Sequence, residues 1–172
     1  MAFIELPDLE PDCSNCAALC CVAFAFDKSE SFGLDKLAGE ECPNLVTDNT
    51  CKIFKERVER GFPGCVSYTC FGAGQRVTQD VFGGKSWREK PALKARMGAT
   101  LSVLRRIHEQ LVLLKAAREL PLTPEHAAQV QSFEAMLYSD APWTEETLSR
   151  FPIDKVAGDI SNWMTQLRGL VS

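Results

Sequence analysis

All eight cysteines of this 172-residue chain stand at or before position 70, at Cys13, Cys16, Cys20, Cys21, Cys42, Cys51, Cys65 and Cys70. Thiols packed this densely serve as a disulfide framework or as ligands for soft metals, unless several are simply small buried hydrophobes, and the compartment decides between the first two. The first eight residues, Met1 to Asp8, carry acids where a secretory signal needs basic residues and an apolar run. The longest uncharged apolar stretch, Cys16 to Phe26, has 11 residues, whereas a membrane span needs about 20. The expectation is a cytoplasmic protein that does not enter a membrane. Disulfides rarely persist in a reducing compartment, so the eight thiols are expected to bind a metal or a cluster.

The spacing refines that expectation. Cys13-x2-Cys16-x3-Cys20-Cys21 follows Pro11-Asp12, and Asp12 can cap a helix start. At about 100° per residue, a helix through this stretch sets Cys13, Cys16 and Cys20 within roughly 60° of one another on one face. Cys21 then points about 100° away from Cys20, toward a second site or the core. The remaining four cysteines sit among turn signals: Cys42-Pro43, Asp48-Asn49 before Cys51, and Gly61-Phe62-Pro63-Gly64 before Cys65. Cysteines on loops can converge, and eight of them fill two four-thiolate sites or one site with thiols left over. Thiolates suit both zinc and iron–sulfur clusters.

Downstream the character changes. Residues 1–12 form an acidic lead-in, residues 13–91 a cysteine-rich module with its connector, and residues 92–172 a set of amphipathic helices. From Pro91 to about Leu120, Leu93, Met97, Leu101, Leu104, Ile107, Leu111 and Leu114 recur at helical spacing. Thr123-Pro124-Glu125 predicts a capped helix to about Ser139 that buries Val130, Phe133 and Leu137. Thr144-Glu145-Glu146 predicts a short helix. A last helix, from about Ile153 to Leu170, aligns Ile153, Val156, Ile160, Trp163, Leu167 and Leu170. The fold class expected is mainly α, an irregular cysteine-rich module followed by a small helical bundle.

Other chemistry finds little support. A net charge of −4 argues against a surface built to neutralise nucleic-acid phosphates. The two histidines, His108 and His126, lie outside the cysteine module; His108, beside the apolar stripe, is expected to be packed or surface-exposed rather than a ligand, and His126 to face solvent. Neither a catalytic triad order nor HExxH occurs. Arg105-Arg106 reads as a solvated helix face. Gly72-Ala73-Gly74-Gln75 reads first as a turn, and second as a source of N–H donors for cluster sulfurs.

The cysteine pattern resembles the CxxCxxCC family of bacterial zinc- or iron-chelating proteins. The residues that carry the likeness are Cys13-x2-Cys16 with Cys20-Cys21, Cys42-Pro43-Asn44-Leu45, Cys51-Lys52-Ile53-Phe54, and Gly64-Cys65 through Cys70. Ala17-Ala18-Leu19 puts three residues before the vicinal pair where that family has two. A closer likeness is to the amino-terminal region that precedes pentapeptide repeats in some bacterial proteins. Cys65-Val66-Ser67-Tyr68-Thr69-Cys70-Phe71-Gly72-Ala73-Gly74-Gln75, Phe82-Gly83-Gly84, Trp87-Arg88 and Ile107-His108-Glu109 carry it, while the repeats themselves are absent. A similar cysteine pattern occurs in flagellin lysine N-methylases, where it goes with an iron–sulfur cluster. Radical-SAM chemistry expects CxxxCxxC, which this chain lacks.

These resemblances imply a cluster-binding module, and they tip the cofactor toward iron–sulfur over zinc. The function expected is a non-catalytic accessory protein that recruits another protein. A redox enzyme or electron-transfer subunit, a zinc-stabilised interaction module and a metal storage or delivery protein stand as alternatives. All eight cysteines are the candidate metal ligands.

Overall fold

A single long helix organises the molecule. The computed structural model describes residues 3–139 and 141–170, and among them the chain is mainly α, with seven α-helices and no β-strand. The short helices α1 (Leu19–Ala23), α2 (Gly64–Ser67) and α3 (Ala73–Arg76) belong to the cysteine-rich part. The longer ones follow as α4 (Leu93–Ala117), α5 (Pro124–Leu137), α6 (Glu145–Arg150) and α7 (Ile153–Met164). At 1.5 Å per residue, the 25 residues of α4 extend over about 38 Å.

The stripe predicted for α4 is its buried face: Leu93, Met97, Leu101, Leu104, Ile107, Leu111 and Leu114 are all buried. Each such side chain contributes about 1.5–3 kcal/mol on leaving water. The caps work as the sequence implies. The Thr123 hydroxyl accepts the His126 N–H at 3.2 Å, with Pro124 in the first turn. Thr144 and Thr147 exchange side-chain-to-backbone hydrogen bonds at the start of α6. α7 buries Ile153, Val156, Ile160 and Trp163, then tightens at Thr165 into a 3₁₀ turn that carries Leu167 into the core.

One apolar core runs from Ala17, Leu19 and Val22 through the α4 stripe to Val130, Ile160 and Leu167. It is therefore continuous across position 91. α1 packs against α4, and Gly98 permits the approach: a Cβ there would lie 3.3 Å from that of Ala23. On the far side of α4 the carboxylate of Glu134, fully buried, pairs with Arg118 at 2.6 Å. Arg118 also donates to the Ile4 carbonyl at 3.0 Å and lies over the Phe3 ring, which fastens the start of the chain to the bundle.

Candidate metal centre

Four separate segments carry the cysteines, and a different device fixes each. In the first, Asp12 does cap a helical turn, accepting the Ser14 N–H at 3.0 Å, but the turn is a 3₁₀ turn of three residues, Cys13–Asn15. The continuous helix expected from Cys13 to Cys20 does not form. Cys16 is extended (φ −114°, ψ 138°) and Ala18 is left-handed at φ 53°. The cause is tertiary. The Thr78 hydroxyl accepts the Ala17 N–H at 3.0 Å and the Trp87 indole N–H donates to the Ala17 carbonyl at 2.7 Å, so neither group is free for a helical ladder. Gln75 clamps the same loop from outside, accepting the Asp12 N–H and donating to the Glu10 carbonyl. Helix α1 then presents Cys20 and Cys21, whose sulfurs are 4.0 Å apart.

The second and third segments hang on the Cys21 backbone. The Cys42 N–H donates to the Cys21 carbonyl at 3.0 Å, the Leu45 N–H donates to the Cys42 carbonyl at 2.9 Å, and Leu45 pairs with Cys51 in an antiparallel bridge. Left-handed Asn49 (φ 67°) turns the chain between them. Arg88 locks that turn, donating to the Asn49 side chain at 2.8 Å and the Val46 carbonyl at 3.0 Å.

The last segment holds Cys65 and Cys70. Arg57 donates to the Cys65 carbonyl at 3.1 Å. Beyond Cys70 two left-handed residues, Phe71 (φ 51°) and Gly72 (φ 75°), reverse the chain into α3. The strained Phe71 is pinned from α4, since the His108 Nδ1–H donates to its carbonyl at 2.6 Å. Arg105 donates to the Thr69 carbonyl at 3.0 Å and lies over the Tyr68 and Phe71 rings, so it is a fastener rather than the solvated residue expected. α3 continues into a π-helical turn, Val77–Val81. The turn expected over Gly72-Ala73-Gly74 is confined to Phe71-Gly72, since Ala73 and Gly74 already belong to α3, and Gly74 has a second property: a Cβ there would stand 2.8 Å from the Cys16 sulfur and 3.6 Å from that of Cys70.

All eight cysteines line one cavity of about 820 Å³, and all eight are unbridged thiols. Cys13 is exposed at its edge while the other seven are half-buried. Phe24, Phe26, Phe32, Phe62 and Leu101 supply much of the remaining wall. Among the described residues no three His, Cys, Asp or Glu side chains are gathered tightly enough around one point to hold a single ion as they stand.

Electrostatics sort the thiols. Burial pushes Cys16 up to about 11, with the nearby Cys70 and Cys13 thiols adding to the effect. Burial raises Cys13 and Cys42 as well, and Cys65 to about 11, its neighbours being Cys21, Cys42 and Cys51. In the vicinal pair the shared hydrogen bond raises Cys20 and lowers Cys21 to about 7, with Lys36 and Arg57 also favouring the Cys21 thiolate. The surroundings of Cys21 thus favour its thiolate.

Three further residues belong to the site although the sequence did not single them out. The Tyr68 hydroxyl is buried with no hydrogen-bond partner; burial raises its pKa, as do the Cys20, Cys70 and Cys16 thiols beside it. Its position between Cys65 and Cys70 was the available signal. Lys36, 4% exposed, spends its ammonium hydrogens on the carbonyls of Val22, Leu37 and Glu40, close to Cys42 and Cys21. Nothing local in the sequence marks it. Arg57, on the cavity wall, is the third. The histidines do not line the cavity. Of the two placements open to His108 the structure has the packed one, whereas His126 is half-buried, edge-on to Trp163 at 6.3 Å, and not solvent-facing.

No helix among the described residues is long and apolar enough to cross a membrane. No protein-family model matches the chain, and no solved structure matches it. The sequence is 34% identical over 165 residues to an uncharacterized protein, YybG, of Bacillus subtilis (strain 168), a match that covers 95% of this chain and 59% of the Bacillus protein. The chain thus spans well under two thirds of the length of that relative.

Proposed function

We propose that the eight cysteines hold metal, as an iron–sulfur centre in preference to zinc, in a cytoplasmic, non-catalytic accessory protein that recruits a protein partner. The observation that carries this reading is the convergence of all the cysteines, from four separated segments, on one cavity. Buried thiols packed for their apolar character alone need not share a cavity, and they do not require an unpartnered hydroxyl beside them. Tyr68 offers such a donor, which a thiolate or an inorganic sulfide satisfies. The bare Gly74 backbone against two sulfurs leaves room where any larger residue would intrude.

The size of the cavity favours iron–sulfur. A tetrahedral zinc with bonds of about 2.3 Å draws its four sulfurs to about 3.8 Å of one another, and a cavity of about 820 Å³ lined by eight thiols suits a polynuclear cluster better. A cluster would supply electron storage or a rigid cross-link between loops. Recruitment of a partner is supported by apolar side chains left exposed on the cysteine-rich part: Leu37, Phe54, Val58 and Val66 are each at least half exposed.

Anaerobic purification with iron, acid-labile sulfide and zinc analysis tests the reading. Brown protein with iron and sulfide in near-equal amounts is expected. Colourless protein with stoichiometric zinc would overturn the iron–sulfur assignment. Metal-free protein whose eight thiols alkylate freely would overturn the metal reading altogether.

A further inference from the structure

We infer that the cavity is divided into two four-thiolate centres, Cys13, Cys16, Cys20 and Cys70 forming the first and Cys21, Cys42, Cys51 and Cys65 the second. The inference rests on the metal reading above and adds the number of centres and the ligands of each. The grouping cuts across the order of the chain, because Cys70 joins the first segment and Cys21 leaves it.

The backbone geometry draws this division. For the first set, the Cys16 N–H closes onto the Cys13 carbonyl at 3.4 Å, and the Gly74 backbone lies against the sulfurs of both Cys16 and Cys70. Cys70 itself is tied to α3 through the Ala73 N–H, which its carbonyl accepts at 3.0 Å. For the second set, an unbroken series of backbone contacts runs from the Cys21 carbonyl to Cys42, from Cys42 to Leu45, and from Leu45 to Cys51. Arg57 closes the set by holding the Cys65 carbonyl. The thiol neighbours follow the same division with Cys21 at its boundary: Cys16 has Cys70 and Cys13 near it, Cys65 has Cys21, Cys42 and Cys51, and Cys21 itself also neighbours Cys20 and Cys13.

The surroundings of the two sets differ in kind. The unpartnered Tyr68 hydroxyl lies beside Cys20, Cys70 and Cys16, all of the first set, and is a neutral donor. The second set has the buried Lys36 ammonium close to it, while the Arg57 guanidinium stands near Cys21 and also near Cys13, and Arg105 lies over Tyr68 on the first-set side. Four thiolates in a half-buried space need countercharge, and the second set receives it from the protein. Cys20 and Cys21 are the wall between the two, adjacent in the chain with sulfurs 4.0 Å apart.

The test uses the full-length chain, purified anaerobically and reconstituted with iron(II) and inorganic sulfide. Iron is withdrawn in steps with a chelator, newly freed thiols are alkylated with iodoacetamide, and the modified positions are mapped. Two sets of four, with Cys20 and Cys21 in different sets, are expected. As a second measurement, Cys16→Ser and Cys51→Ser should each lose about half the iron. Cys16→Ser with Cys70→Ser should lose no more than Cys16→Ser alone, and Cys16→Ser with Cys51→Ser should lose nearly all. The wild-type mapping stands even if a variant fails to fold. Release of all eight thiols in one step, or of Cys20 and Cys21 always together, would overturn the division while leaving the metal reading intact. A chain that takes up no iron and is isolated without zinc would overturn both.

Discussion

Gly74→Ala separates a cavity that holds metal from one that merely contains thiols. Gly74 lies in α3 without a positive φ, so alanine suits its backbone, and helix propensity alone favours the change by about 0.5–1 kcal/mol. Against this stands the new Cβ, 2.8 Å from the Cys16 sulfur, where non-bonded atoms ordinarily keep about 3.5–4.0 Å. In the metal-free chain Cys16 has the cavity beside it and one freely turning bond, so the sulfur moves aside and the variant keeps wild-type stability to within about 1 kcal/mol. With metal bound the sulfur is pinned, the clash must be absorbed by the backbone, and the cost rises to about 1–3 kcal/mol. That difference corresponds to metal affinity about 5- to 150-fold weaker. Gly158→Ala in α7, where a Cβ meets nothing within 4 Å, is the control. It should raise the melting temperature by about 1–4 °C with or without metal. The assay is thermal unfolding of both variants, with and without bound metal, alongside a competition titration with a chelator. A Gly74→Ala chain that binds metal as tightly as wild type and gains as much stability as Gly158→Ala would refute the reasoning.

Two further outcomes follow from the helical part. Arg118→Leu leaves the Glu134 carboxylate fully buried without its partner and should lower unfolding stability by about 3–5 kcal/mol in urea titration; a loss under about 1 kcal/mol would show that the pair is not needed. His108 is buried as the neutral ring, its pKa depressed to about 4 by burial, against about 6.5 in the unfolded chain. Between those values the unfolded chain binds the extra proton, so stability is complete above about pH 6.5 and falls as the pH drops toward 4, by about 3 kcal/mol in all. His108→Gln should flatten that stretch of the stability–pH curve measured by denaturant midpoints. An unchanged slope would assign it to other groups.

The helices were legible because their information is local. The α4 stripe, the Thr123 and Thr144 caps and the apolar face of α7 are written in consecutive residues, and packing only had to agree with them. The cysteines were legible as a chemical set, through number and spacing. Their geometry was not, since it depends on contacts far apart in sequence. Thr78 and Trp87 take the hydrogen-bonding groups of Ala17 and so break a helix that periodicity alone would continue through Cys20. Lys36 illustrates the same limit: its burial follows from three carbonyls of a loop whose path is set elsewhere. The joining of Cys70 to the first cysteines goes through a glycine whose importance is a missing atom.

The position of α4 has a bearing on modularity. One length of this helix carries Gly98, Leu101, Arg105 and His108 against the cysteine-bearing loops, and the same helix supplies Leu111 and Leu114 to the core shared with α5 and α7. A party wall of this kind belongs to both rooms. The smallest stretch that could be grafted elsewhere with its thiols in place is therefore not the cysteine-rich segment but that segment together with α4. Once moved, the exposed apolar flank of α4 would demand a new covering. The cysteine motif and its helical neighbour are in that sense inherited as one part, although their compositions suggest two.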